Sequence, residues 1–234
     1  MHSKLMRLND MALYDFTHEP PGFKPDHLDF RVSLSQTDVE ILAQFRASAF
    51  ADKNAVESIY FFTKVNSPQN EDIHLIVISS QSYLLGYAVF KLGNTPKMAN
   101  RVYLSEIAVV DWFRRRGLMN ALLFCVARFG LNSGKRMTFC LFAYDRVMVK
   151  IYRRYFLREM KDIEEFKREV CFIDRDNYRE SIDHFSATDQ NYIFMLGSVY
   201  ALWRIARRKL RENKDLHRSV TIVMDRLLMI SNNI

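Results

Sequence analysis

The sequence predicts an α/β fold in which a mixed sheet is flanked by helices on both faces and followed by a helical extension at the C-terminus. Three observations carry that expectation. Residues 73–79 and 83–92 are apolar, β-prone runs joined by a short turn, the pattern of an antiparallel hairpin. Residues 102–110 form another strand-length run, 117–131 are apolar almost all round for three to four helical turns, and 137–143 (MTFCLFA) resume as a strand. That order is a β-α-β crossover between parallel strands. No proline follows Pro96, so long uninterrupted elements are permitted through the rest of the chain.

Taken in order, residues 1–27 read as an irregular N-terminal arm containing Pro20, Pro21, Gly22 and Pro25. The alternation in residues 28–34 (LDFRVSL) predicts a first strand. Thr37 and Glu40 have the T-x-x-E spacing of a capping box, which predicts a helix over 38–50. A second helix is expected over 54–65, and the hairpin and crossover follow. Asn132, Ser133 and Gly134 stop the crossover helix. Residues 145–156 (DRVMVKIYRRYF) place Val147, Ile151 and Tyr155 at helical spacing, with Tyr152 on a neighbouring face. Short strands are expected around 160–166 and 170–173. Beyond residue 177 the chain changes character: residues 186–189 (SATD) mark a helix start, 192–210 read as one helix, and 216–230 as an amphipathic helix. The division is therefore an arm at 1–27, a main domain at 28–176 and a helical extension at 177–234.

A chain of 234 residues with 49% hydrophobic content can build a sizeable core. Its formal charge of +7 implies attraction to anions: nucleotides, acidic carrier proteins, nucleic acid or anionic lipid. Cys125, Cys140 and Cys171 are odd in number and lie in apolar segments without C-x-x-C spacing, so buried thiols in a reducing compartment are expected and no metal site is assigned. No signal sequence or membrane span is recognised, which places the expectation in the cytoplasm. Walker, G-x-G-x-x-G, G-x-S-x-G and H-E-x-x-H motifs are absent.

The joint between the central strand and its helix is the informative stretch. Arg114, Arg115 and Arg116 stand where a helix dipole is already positive and the first amides lack partners, and Gly117 follows. A seated anion would relieve that arrangement, since free amides, a residue without Cβ and guanidinium groups make a phosphate cradle. The alternative is a charged turn solvated by water. Strand, bend, Arg114-x-x-Gly117 turn and apolar helix together resemble motif A of the GNAT superfamily of N-acyltransferases, with Met119 where that family has a second small residue. Residues 145–152 more weakly resemble its motif B, with Asp145 at the Asn position, Tyr152 at the Tyr and Phe156-Leu157 in place of Gly-Phe.

The resemblance implies an N-acyltransferase that uses acetyl-coenzyme A or another acyl-coenzyme A as co-substrate and an amine as acceptor. It implies donor contacts at Ala108, Val109, Val110, Arg114, Arg115, Arg116, Gly117, Leu118, Met119, Asn120 and Asp145. Glu106, a carboxylate amid Leu104, Ile107 and Ala108, is the candidate general base; pairing with an arginine is the alternative. Backbone amides around Val109 and Val110 are the candidate oxyanion donors, and Tyr152 the candidate acid for the departing thiolate, against a packing role. Two other readings stand beside this one. The donor could be an acyl group on an acidic carrier protein, which the basic surface suits, or the chain could be a non-catalytic protein that binds membrane or nucleic acid through its basic C-terminal helices.

Overall fold

A computed structural model of the chain describes residues 15–23, 28–31, 35–50, 54–67, 69–70, 73–81, 83–93, 100–143, 146–155, 157–159, 192–214, 216–218 and 220–221. The chain runs β1 (Asp29–Arg31), α1 (Gln36–Ala49), α2 (Ala55–Val65), β2 (Ile73–Ser80), β3 (Tyr83–Leu92), β4 (Arg101–Val109), a 3-10 turn (Asp111–Phe113), α3 (Leu118–Asn132), β5 (Met137–Ala143), α4 (Arg146–Arg153), β6 (Arg158–Glu159), β7 (Tyr192–Ser198) and α5 (Val199–Leu210). The strands form one sheet in the order β1-β2-β3-β4-β5-β7-β6. Among the described strands only β4 and β5 run parallel, and every other neighbouring pair is antiparallel. Both the hairpin and the crossover that the sequence predicts are present.

Helix α1 starts earlier than its sequence pattern indicates. Its capping box is Ser35 with Asp38, not Thr37 with Glu40: Ser35 Oγ accepts from the Asp38 N–H at 3.2 Å, and Asp38 Oδ2 accepts from the Ser35 N–H at 2.9 Å. Both pairs have the required spacing, and the helix that starts from Ser35 turns Val39, Leu42, Phe45 and Arg46 inward. Asn54 caps α2, accepting from the Glu57 N–H at 2.9 Å.

The larger correction concerns residues 192–210, read from the sequence as one helix. The first seven residues are β7, which pairs antiparallel with β5 from Ala143↔Tyr192 to Met137↔Ser198, and the helix begins only at Val199, where Ser198 caps it. An apolar run without polar interruption satisfies a buried strand as well as a buried helix, and the open edge of β5 decides between them. The C-terminal segment is thus partly a sheet strand rather than wholly an appended helical extension. The strands expected at 160–166 and 170–173, and the helix start at 186–189, lie outside the described residues, as does the helix expected beyond 221.

A bulge in β4 sets the two faces of the sheet. Val89 pairs with Glu106 but Phe90 pairs with Leu104, so Ser105 is an extra residue and the side-chain alternation shifts by one. Before it, Val102 faces α3, lying so close that a Cβ on Gly130 would stand 2.6 Å from Val102 Cγ2, and Phe90 meets Phe129 of α3 at 5.7 Å between ring centroids. After it, Glu106 faces α1 and α2, whose Phe45 and Phe62 pack edge-on against Tyr87 of β3. Helix α5 covers α3: Val199 Cγ1 would lie 3.2 Å from the same Cβ on Gly130, so that glycine lets strand, helix and helix approach together.

Described residues of the N-terminal arm join this core. Phe16 is buried against Phe45, its carbonyl accepts from the Asp111 N–H, and Phe23 packs on Trp112.

Candidate active site

Parallel strands β4 and β5 pair from Arg101↔Met137 to Leu104↔Cys140 and then part, while β4 runs on to Val109 beside β3 and β5 runs on to Ala143 beside β7. The parting begins at the Ser105 bulge, as expected where extra twist ends a ladder. The result is a notch in the middle of the sheet whose walls carry backbone groups unpaired across the gap. In the β4–β3 ladder, the Val110 N–H donates to Leu85 O at 3.0 Å across the Val109–Gly86 pair. That makes Val109 and Gly86 a non-hydrogen-bonded pair, so the Val109 N–H points away from β3 and into the notch. The Ala108 position has the opposite phase and pairs with Tyr87. Of the expected oxyanion donors, Val109 is therefore available and Val110 is already engaged.

The turn after β4 brings Arg114 to Asn120 to the same end of the notch. Arg115 (φ 64°) and Gly117 (φ 90°) both have left-handed backbone, and Gly117 is the N-cap of α3 without a side-chain cap. Among the described residues no group accepts from the N–H of Arg115, Arg116, Gly117, Leu118 or Met119. Five backbone donors and the positive end of a 15-residue helix thus converge on one turn. These groups fit a phosphate. The arginines are less bare than the sequence suggests: Arg114 pairs with Asp111 at 2.7 Å, and Arg116 is held by both oxygens of Glu19, at 3.1 and 2.6 Å. Arg115 is exposed.

Glu106 is not free. Arg46 Nε donates to Oε1 at 3.0 Å and Oε2 at 2.9 Å, its Nη2 donates to Oε1 at 2.5 Å, and the Tyr87 hydroxyl donates to Oε2 at 3.0 Å. Arg46 also donates to Ser58 Oγ and lies over the Phe61 ring at 4.2 Å. Burial and the Glu106 charge push the Tyr87 hydroxyl well above its ordinary range, so it stays a neutral donor. The arginine-paired alternative is the one the geometry shows. To accept a proton directly, Glu106 would have to give up hydrogen bonds to buried donors. Arg46 and Tyr87 were not singled out from the sequence, although Arg46 continues the inward stripe of Val39, Leu42 and Ala43.

Tyr152 lies on α4 and is buried. A second tyrosine, Tyr155, donates from its hydroxyl to Asn120 Oδ1 in the first turn of α3, and Lys209 Nζ of α5 sits 4.2 Å over its ring. Burial pushes the Tyr155 hydroxyl up to about 12. The sequence marked Tyr155 only as part of a helical stripe. Asp145 lies outside the described residues.

The C-terminal segment reaches this turn too. Asn213 Nδ2 donates to Arg116 O at 3.3 Å, while its Oδ1 caps the following helical residues by accepting from the Leu216 N–H at 3.1 Å. Leu216 Cδ2 stands 3.4 Å from where a Cβ would lie on Gly117. A Cβ on that side would be in ordinary van der Waals contact with the chain's own leucine.

Neither family models nor curated proteins give a match to the chain, whereas solved structures do. A GNAT-family protein from Desulfovibrio desulfuricans superposes with a TM-score of 0.54 at 17% identity, covering 74% of this chain and 99% of that one. The chain has the GNAT fold. The ribosomal-protein-S18-alanine N-acetyltransferase from Escherichia coli matches with a TM-score of 0.51 at 15% identity, over 74% of this chain and 94% of that one. An acetyltransferase from Thermus thermophilus gives 0.50 at 14% identity, over 74% and 97%. Among the described residues of this GNAT-fold chain, no helix is long and apolar enough to cross a membrane, and no group of His, Cys, Asp and Glu could hold a metal ion.

Proposed function

We propose that the protein is an N-acyltransferase that moves an acyl group from a phosphopantetheine thioester, in the first instance acyl-coenzyme A, to an amine. The observation that carries this reading is the notch between β4 and β5 opening directly beside the uncapped N-terminus of α3. An extended arm containing amides can lie in the notch as though it were another strand, with its phosphate on the amides of residues 115–119. Its thioester then lies along β4 near the inward-pointing Val109 N–H. The fold supports the reading, since the matched S18-alanine enzyme is an N-acetyltransferase.

In the proposed step the neutral amine nitrogen attacks the thioester carbonyl carbon. A C–N bond forms, the carbonyl oxygen takes negative charge opposite the Val109 N–H, and the C–S bond breaks on collapse. The amine loses one proton to water and the thiolate gains one. Tyr152, buried on α4, is the proposed acid. Glu106 is assigned a positioning role: with Arg46 and Tyr87 it fixes α1 on β4 where the bulge turns the strand toward the acceptor side. No covalent enzyme intermediate is required.

The test is thiol release and amide formation, followed by mass spectrometry, when the full chain is incubated with acetyl- and octanoyl-thioesters and a panel of amines. Amide product dependent on the protein is expected. Absence of thiol release from every thioester with every amine overturns the proposal.

A further inference from the structure

We infer that the outer face of α5 is a docking surface for an acidic carrier protein that presents the acyl group on a phosphopantetheine arm; the inference rests on the N-acyltransfer reading above. Helix α5 buries Val199, Leu202, Ala206 and Leu210 and turns Tyr200, Arg204, Arg208 and Arg211 outward. Residues 199–211 contain five lysines and arginines and no acid. Among the described residues no carboxylate pairs with Arg204, Arg208 or Arg211. The charge is regional: residues 118–159 and 199–218 together hold fifteen cations against four acids, a surplus of eleven on a chain whose total is +7, so the remainder is net negative. A helix face with this surplus of cations attracts an acidic partner.

Continuity with the donor turn favours a donor-bearing partner. The stripe ends beside Asn213, which bonds Arg116 O, and Lys209 stands over Tyr155, whose hydroxyl meets Asn120 in the first turn of α3. Coenzyme A and a carrier share the arm and differ beyond it: coenzyme A continues into a pyrophosphate and a phosphorylated adenosine, the carrier into one phosphodiester and then protein. Here Leu216 of the C-terminal segment stands beside Gly117, and Met119 two residues on, so the donor turn borders the segment that carries the basic stripe. A helix of 12 residues is about 18 Å long, a reach suited to an acidic helix of another protein.

The test uses the full chain with octanoyl-loaded acyl carrier protein, octanoyl-coenzyme A and octanoyl-phosphopantetheine, with binding read by calorimetry at several salt concentrations. Carrier affinity is expected to fall with salt and to weaken about tenfold or more in Arg204→Glu/Arg208→Glu. Binding of octanoyl-phosphopantetheine, which has no protein to dock, is expected to stay the same in that variant and so reports an intact site. Carrier affinity that is undetectable or equal in the variant overturns the inference, as does tighter binding of octanoyl-coenzyme A than of the carrier. A variant that loses binding only to duplex DNA or to phosphatidylglycerol vesicles overturns it in favour of those partners. Stripe-dependent carrier binding with no amide formed from any thioester upholds the docking surface and sinks the N-acyltransfer reading, so the two fail separately.

Discussion

Among the described residues, two arginine–glutamate pairs stand in opposite settings, one between α1 and β4 and one at the turn before α3. Arg46 and Glu106 have side chains only 7% and 14% exposed, whereas Arg116 and Glu19 are each 40% exposed. In the first, each charge is the other's replacement for water, and Tyr87 and Ser58 take further hydrogen-bonding capacity. In the second, water and ions compete with the partner at every moment. The buried pair therefore holds structure, and the exposed pair is cheap to exchange for another anion. In the proposed reaction that division suits a donor site that takes up and releases phosphate beside an acceptor wall that keeps its shape.

The sharpest way to break the comparison is to remove one partner from each pair. Arg46→Met leaves Glu106 as a buried carboxylate without its cation, and a loss of about 3–5 kcal/mol is expected in urea unfolding. Arg46→Met with Glu106→Leu should recover most of that loss, because the penalty arises from the orphaned charge rather than from the missing attraction. A double variant no more stable than the single one would mean that the clamp is needed for its shape. The same exchange at Glu19 and Arg116 should leave the unfolding midpoint nearly unchanged.

Gly117 sharpens the comparison from the donor side. With φ at 90°, a residue bearing Cβ costs about 1–2 kcal/mol in backbone strain, and a Cβ there would also touch Leu216 at 3.4 Å. Gly117→Val is expected to abolish phosphopantetheine binding in calorimetry while lowering stability only by that amount. The structure changes the reason for this expectation: the valine methyl groups push first on Leu216 and on the left-handed turn. Unchanged affinity would remove the donor site from this turn.

Much of this layout is legible in the sequence, and the gaps have physical causes. The hairpin, the crossover and the Arg114–Gly117 turn are local: each is specified by residues adjacent in the chain, and each appears where its pattern puts it. The partners of Glu106 lie 60 and 19 residues away, and the inserted Ser105 reverses which face of β4 it occupies. Strict alternation from Val102 and Leu104 would have put Glu106 against α3, on the face opposite Arg46. Strand β7 was hidden for a related reason, since periodicity cannot separate two fully buried states and only the edge of β5 decides.

In the proposed reaction, Tyr152 on α4 and Tyr155 just after it would divide chemistry from binding. Tyr152→Phe keeps the ring and removes the hydroxyl, so turnover is expected to fall on the order of a hundredfold with donor affinity nearly unchanged, as for a proton donor acting in the transition state. Tyr155→Phe should act in the other sense. Its hydroxyl is committed to Asn120 and pushed up to about 12, which makes it a poor acid, so a change in donor affinity of a few fold with turnover preserved is expected. Wild-type turnover in Tyr152→Phe would leave protonation of the thiolate to water.

The smallest expected effect is at Glu19, and it tests whether the exposed pair is exchangeable. The hydrogen bonds from Arg116, and then its charge, hold the Glu19 carboxyl below the usual 4.5, and Arg116 is raised in return. A carboxylate whose folded value is lowered contributes above its unfolded value and loses that contribution as pH falls through the folded one. Between pH 5 and 8 Glu19 is therefore ionised, and the arm carboxylate competes with any phosphate for Arg116. Glu19→Gln should raise phosphopantetheine affinity about two- to fivefold across that window, the range of an exposed ion pair. Wild type should approach the variant as pH is taken below 4.5, because protonation removes the same competitor. Added salt should narrow the gap as well, by screening both rivals for the guanidinium. Lower affinity in Glu19→Gln would mean that the arm carboxylate orients Arg116 for the donor, and the contrast between the locked pair and the exchangeable one would fail at this point.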